Sequence, residues 1–191
     1  MGNSIKEMSI LICGDEKVGN HFIAKSLLTT SNEKISKDKY KCKGVLNNGV
    51  EIESTIYIKN DLKDRKIKKN KKSYYSRKFD KINGAVFVFD FSNKYSFELL
   101  KAIIKDFEAS RPGFGVAIIG NNYVEDEKLN LKLNEAQNLA IQYQFDYDNF
   151  HKIGKIKSPE KNTIMKKDMK EIRGIFEKVY HNMAEKKGCC F

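Results

Sequence analysis

Ser9-Ile10-Leu11-Ile12-Cys13-Gly14-Asp15-Glu16-Lys17-Val18-Gly19-Asn20-His21-Phe22 decides how this chain is read. An apolar run ends in a loop bracketed by two glycines, and a helix-like segment, Phe22 to Leu28, follows. The spacing of Gly14 and Gly19 is that of a phosphate-binding loop, G-x-x-x-x-G-K-[S/T], after a buried strand. Asn20 stands at the Lys position and His21 at the Ser/Thr position. Asn20 carries no charge to set against phosphate. His21 is a poor Mg²⁺ ligand, because that ion prefers oxygen. Backbone N–H groups of such a loop still attract anions, while Asp15 and Glu16 oppose them. Lys17 is the candidate substitute cation inside the loop, although a lone lysine is more often an ordinary solvated side chain.

Around this stretch the chain alternates strands with helices. Ile5 to Cys13 is continuously apolar at its end, as a strand covered on both faces must be. Ser31 to Lys39 is polar and without periodicity, which predicts a surface loop. Tyr40 to Leu46 and Val50 to Ile58 alternate with period two around Asn47-Asn48-Gly49. That predicts an antiparallel hairpin with one wet face, carrying Glu51, Glu53, Thr55 and Tyr57. Lys59 to Lys72 holds eight Lys or Arg against Asp61 and Asp64. A run so charged is expected to be a mobile loop.

Ala85 to Phe89 and Val116 to Ile119 are further apolar strands, and Phe150 to Ile153 a short last one. Ser96 is the expected cap of a helix with Phe97, Leu100, Ile103, Ile104 and Phe107 on its buried face. Asn134 is the expected cap of a second, through Ala136, Leu139 and Ala140. Ser158-Pro159-Glu160 opens a third, in which Met165, Met169, Ile172, Phe176, Val179 and Met183 recur at helical spacing. The pattern predicts an α/β fold: a doubly wound, mostly parallel sheet of about six strands with one antiparallel hairpin. Ligands of such sheets sit at the carboxyl ends of the strands.

The bulk properties bound the function. The 191 residues carry a formal net charge of +11 and 40% hydrophobic residues, enough for one domain with its own core. No apolar run approaches the roughly 20 residues of a membrane span, and no signal h-region opens the chain. An intracellular protein is expected. Cys13, Cys42, Cys189 and Cys190 lack metal-ligand spacing, so no metal site is expected. Met1-Gly2-Asn3-Ser4 approaches an acylation signal but has Lys6 at the sixth position, which leaves Gly2 acylation a minor hypothesis. The basic run Lys59–Lys72 lacks interleaved aromatic residues, so nucleic acid is not the expected partner.

The order of elements resembles the Ras superfamily of small GTPases, most closely the Rab branch. Four markers carry the resemblance: the glycine loop; Tyr74-Tyr75 followed by Gly84-Ala85-Val86-Phe87-Val88-Phe89-Asp90 and Ser96-Phe97; Ile118-Ile119-Gly120-Asn121-Asn122; and the terminal Cys189-Cys190-Phe191. The resemblance implies a Ras-like P-loop domain over residues 1–183 and a tail, 184–191, with a geranylgeranylated cysteine pair. It implies Gly14, Asp15, Glu16, Lys17, Val18, Gly19, Asn20, His21, Asn121 and Asn122 as a degenerate site for GTP or GDP. Ser36, Asn60, Lys63 and Asp64 fall at the switch positions. The family's Mg²⁺-linked Asp, γ-phosphate-sensing Gly and water-orienting Gln are replaced by Asn60, Lys63 and Asp64. Asn122 and Val124 replace the Lys and Asp of the guanine reader.

The resemblance therefore implies a protein of vesicle traffic whose nucleotide binding is weak or lost, with Mg²⁺ poorly held. No residue is assigned a catalytic role, since nothing positions the attacking water or stabilises transferred charge. The implied partners are a membrane, through the lipidated cysteines, and Rab-type effector or escort proteins. A monomer on the cytoplasmic face of an intracellular membrane, with a cytosolic pool, is expected. A different class of function stays open beside it: a nucleotide-independent, membrane-anchored scaffold.

Overall fold

The computed structural model describes residues 6–15, 18–26, 31–45, 51–59, 82–110, 115–121, 133–143, 150–153 and 166–186. Seven strands form one sheet: β1 (Lys6–Gly14), β2 (Ser31–Ser36), β3 (Lys39–Val45), β4 (Glu51–Lys59), β5 (Gly84–Asp90), β6 (Gly115–Asn121) and β7 (Phe150–Ile153). Four helices are described: α1 (Asn20–Ser26), α2 (Lys94–Ser110), α3 (Leu133–Gln142) and α4 (Lys166–Lys186). The strand order is β2-β3-β4-β1-β5-β6-β7. The β1–β4, β1–β5, β5–β6 and β6–β7 pairs are parallel; β2–β3 and β3–β4 are antiparallel.

The apolar runs have a direct physical cause. Successive strand residues point to opposite faces, and helices cover both. Ile10 and Ile12 of β1 pack with Val86, Val88, Ala117 and Ile119 under α1 (Ile23, Ala24) and α4 (Ile172, Ile175, Phe176, Val179). Leu11 and Cys13, one residue out of step, join Phe87, Phe89, Val116 and Ile118 under α2 (Phe97, Leu100, Ile104, Phe107) and α3 (Ala136, Leu139). The expected periodic residues that are described, Phe97, Leu100, Ile103, Ile104 and Phe107 of α2, Ala136, Leu139 and Ala140 of α3, and Ile172, Phe176 and Val179 of α4, are buried; the side chains of Met165, Met169 and Met183 lie outside the described residues. Edge-to-face contacts, such as Phe87–Phe107 at 5.5 Å between centroids, fill the second layer.

The structure corrects the sequence reading in four places. Ser31 to Ser36 is not a loop but the edge strand β2, so the sheet has seven strands and two antiparallel junctions. Backbone pairing with β3 gives this polar segment its order, and a polar edge strand needs no apolar alternation. A register shift between Lys34 and Ser36 marks an irregularity there. The outer face of the hairpin is not fully wet: Tyr57 packs against the second core, with the Lys39 ammonium 5.3 Å from its ring centroid. Asn93, not Ser96, caps α2, its Oδ1 accepting the Tyr95 N–H at 3.1 Å. The Ser96 hydroxyl instead accepts the Asp90 N–H at 2.9 Å and donates to the Asn93 carbonyl at 2.7 Å, tying helix to strand. Asn134 lies inside the first turn of α3 rather than before it. The Asn47–Gly49 turn, the Lys-rich run after Lys59 and the Ser158-Pro159 helix start lie outside the described residues.

Candidate functional site

The parallel strands β1, β4, β5, β6 and β7 all end on one side of the sheet, and the glycine loop leaves β1 there. Gly14 is required by crowding: a Cβ there would collide with the Val88 carbonyl oxygen and lie 2.7 Å from Val18 Cγ2. Gly19 has φ +92°, in the left-handed region where a side chain is strained. The Asp15 carbonyl accepts from Val18 N at 3.3 Å, and Gly19 O accepts the Ile23 N–H at 3.0 Å, opening α1. The helix therefore starts at Asn20, two residues earlier than its apolar pattern suggests. Glu16 and Lys17 lie outside the described residues, so Lys17 is not placed.

Asn20 is 1% exposed. Its Nδ2 donates to the Asp15 carbonyl at 3.3 Å. The side chain thus bends back onto the loop's own backbone. An amide can make this inward bond, whereas a longer charged chain has to reach solvent or an anion.

His21 turns the other way. Its Nδ1 is 3.4 Å from the Tyr40 hydroxyl on β3, and its Nε2 is 3.6 Å from Asp38 Oδ1 in the β2–β3 turn. The rings of His21 and Tyr40 meet edge to face, 6.3 Å apart. Burial, and secondarily the Asp38 charge, hold the Tyr40 phenol above its ordinary pKa, so it stays protonated. Both partners of His21 were missed in the sequence. Tyr40 reads there as one more alternating residue, and Asp38 as part of a loop. Ser36, the hydroxyl expected near the site, is exposed at the end of the edge strand β2, and no described contact brings it to the loop.

Asn121 closes the site from β6. It is fully buried, and its Nδ2 donates to the Val18 carbonyl at 3.0 Å, joining positions 103 residues apart. Its own carbonyl accepts the Phe91 N–H at 2.8 Å. Just before it, Gly120 is held against aromatic rings: a Cβ there would collide with Phe91 and lie 2.9 Å from Phe89 Cζ. Phe89 and Phe91 are themselves stacked edge to face at 4.8 Å. The strand end is fixed by packing before Asn121 reaches the loop.

Of the expected site residues, the fold brings Gly14, Asp15, Val18, Gly19, Asn20, His21 and Asn121 together. Asn122, Asn60, Lys63, Asp64, Cys189 and Cys190 lie outside the described residues. Among the described residues no group of three His, Cys, Asp or Glu side chains is arranged to hold a metal. Among them, too, no helix is long and apolar enough to cross a membrane. Comparison with protein-family models and with curated proteins returns no match for this chain.

Proposed function

We propose that this chain is a Rab-like protein of the Ras superfamily, working in vesicle traffic at the cytoplasmic face of an intracellular membrane. In this reading guanine-nucleotide binding is weak or lost and GTP hydrolysis is lost. The observation that carries it is the bond from Asn121 to the Val18 carbonyl. It joins the strand whose end matches the guanine-reading segment to a loop that keeps both glycines. Chain order alone does not require that pairing. The chemistry is reduced at the same place: Asn20 supplies an amide where charge neutralisation is needed, and His21 is engaged by Tyr40 and Asp38.

If guanine nucleotide or Mg²⁺ binds, Gly14, Gly19 and the α1 backbone are the groups that would face phosphate. A hydroxyl to ligate the metal is missing at position 21. Titration with a fluorescent GDP analogue, with and without Mg²⁺ and with ATP as competitor, tests the reading. Weak saturable binding that GTP displaces and ATP does not is expected. Submicromolar binding with steady phosphate release would overturn it.

A second reading, the nucleotide-independent membrane-anchored scaffold, is favoured by one observation: the inward Asn20 bond gives the loop an internal partner in place of a ligand. Absence of any nucleotide binding at high micromolar concentration, together with retained folding, would select it.

A further inference from the structure

β2 is the outermost strand of the sheet, and among the described strands it pairs with β3 alone. Asn32, Glu33 and Lys34 are of types depleted in strands. The described side chains of β2, Ile35 and Ser36, are both exposed, the isoleucine at 47%, and join neither core. The ladder is interrupted between Lys34 and Ser36. Backbone hydrogen bonds at a sheet edge are therefore the main hold on β2, and the ordering of its six residues opposes them.

β3 is held differently. It pairs with β4 over Lys39 to Val45, and Tyr40 and Cys42 are buried in the first core. Lys41 and Lys43 lie on the other face, each within ion-pair distance of Glu53 on β4. β3 thus keeps its place without β2, and its outer row of N–H and C=O groups is a template for another strand. The register makes β2 a poor match for that template. Lys34 and Asn32 stand opposite Tyr40 and Cys42, the positions where an apolar residue would bury surface. Glu33 stands opposite Lys41, but Ser31 stands opposite Lys43.

We propose that β2 is a displaceable guard strand, and that the outer edge of β3 is a docking site for an extended segment of a partner protein, acidic and apolar at alternate positions. Lys41 and Lys43 select the acidic residues by charge, and Tyr40 and Cys42 select the apolar ones by burial. Such a segment exceeds β2 on both counts. Docking there requires nothing of the glycine loop, so it stands with or without a bound nucleotide.

The test uses the full chain and three synthetic peptides of residues 31–36. One has the native sequence. A matched peptide carries Ser31→Glu, Asn32→Val and Lys34→Val. A charge-reversed peptide carries Ser31→Lys, Asn32→Val, Glu33→Lys and Lys34→Val. Binding is read by fluorescence anisotropy of the labelled peptides. Two variants of the chain bias β2 in opposite directions. Glu33→Pro with Lys34→Pro removes an N–H bonded to β3 in either phase of the ladder, since adjacent N–H groups of a strand point to opposite sides. Asn32→Val with Lys34→Val gives β2 the apolar residues it lacks.

The matched peptide is expected to bind about tenfold more tightly than either of the others. The proline variant should bind it about tenfold more tightly than the native chain, because β2 no longer competes from within the same molecule, and the valine variant should bind it more weakly. In the native chain the β2 amides bonded to β3 should exchange about tenfold or more faster than the β3 amides bonded to β4. Equal binding of the matched and charge-reversed peptides would overturn the proposal, as would no binding of the matched peptide to the proline variant. Weaker binding to the proline variant would show addition outside β2, and equal binding to all three chains would place the site elsewhere; either result overturns it. A proline variant without a cooperative melt would also overturn it, by showing that the sheet cannot stand without β2.

Discussion

Asn121 and Val18 lie 103 residues apart in the chain and are joined by a 3.0 Å bond between side-chain amide and main-chain carbonyl, with Asn121 fully buried. The bond locks the glycine-loop turn to the end of β6. A buried main-chain acceptor that loses its donor costs about 1–3 kcal/mol. Asn121→Ala should therefore lower the unfolding free energy by that much, read as a lower denaturant midpoint with an unchanged m-value. A change within about 0.5 kcal/mol, the range of ordinary surface substitutions, would show that the loop is held by other means.

The two loop glycines should fail for different reasons. Gly14→Ala puts a methyl against the Val88 backbone oxygen, which cannot move without shifting β5 from β1, and against the Val18 side chain. A loss of about 2 kcal/mol or more, in the range of overpacked cores, is expected. Gly19→Ala meets a conformational penalty instead, its φ being +92°, and about 1–2 kcal/mol is expected. Thermal melts of both variants, with Gly174→Ala as control, check the ranking. Gly174 lies in α4 with open space where its Cβ would go, so that substitution should stabilise slightly.

Replacing Asn20 by Lys returns a cation to the loop and removes the inward bond to Asp15. Asn20→Lys combined with His21→Ser should raise affinity for GDP about tenfold or more in the presence of Mg²⁺, since one good charge-assisted contact is worth roughly 1.5–3 kcal/mol. Fluorescence titration measures it. Unchanged affinity would mean that the lost guanine-reading residues, rather than the loop, limit binding.

Cys42 makes an alkaline prediction. Its thiol is buried, donates to the Ser54 carbonyl at 3.6 Å, and is pushed up to about 11 by burial. The folded state therefore holds this proton in the pH range where the unfolded chain, with a thiol near 8.5, releases it. The stabilisation is fully present below about pH 8.5 and is lost as pH rises towards 11, by about 3 kcal/mol in all. Cys42→Val should flatten this part of the stability–pH curve. Reaction of native Cys42 with a thiol reagent at pH 8 as fast as in the denatured chain would contradict it.

The tail carries the membrane prediction. In the Rab-like reading proposed above, Cys189 and Cys190, between Lys186-Lys187-Gly188 and Phe191, carry the lipid, and two lipid chains anchor stably where one does not. Expressed in a eukaryotic cell, the protein should fractionate with membranes, and Cys189→Ser with Cys190→Ser should move it to the soluble fraction. A double variant still bound to membranes would argue against lipidation.

The sequence by itself determined the layers of this fold. Ile10-Leu11-Ile12-Cys13, Ala85 to Phe89 and Val116 to Ile119 are apolar at every position. Only strands covered on both faces bury all of them, and the helical spacing of Phe97 to Phe107 and Ile172 to Val179 supplies the covers. The glycine pair marked the loop in the same local way. Tertiary structure decided what no local pattern encodes. Ser31 to Ser36 became a strand because β3 offers it a backbone ladder, and hydrogen bonds to backbone are blind to side-chain periodicity. Asn20 turned inward, His21 found Tyr40 and Asp38, and Asn121 found Val18, because strand order placed those groups within bonding distance. Hydrophobic burial is written in short-range composition and is legible residue by residue. The direction in which a polar side chain spends its hydrogen bonds depends on neighbours that the chain brings from far away.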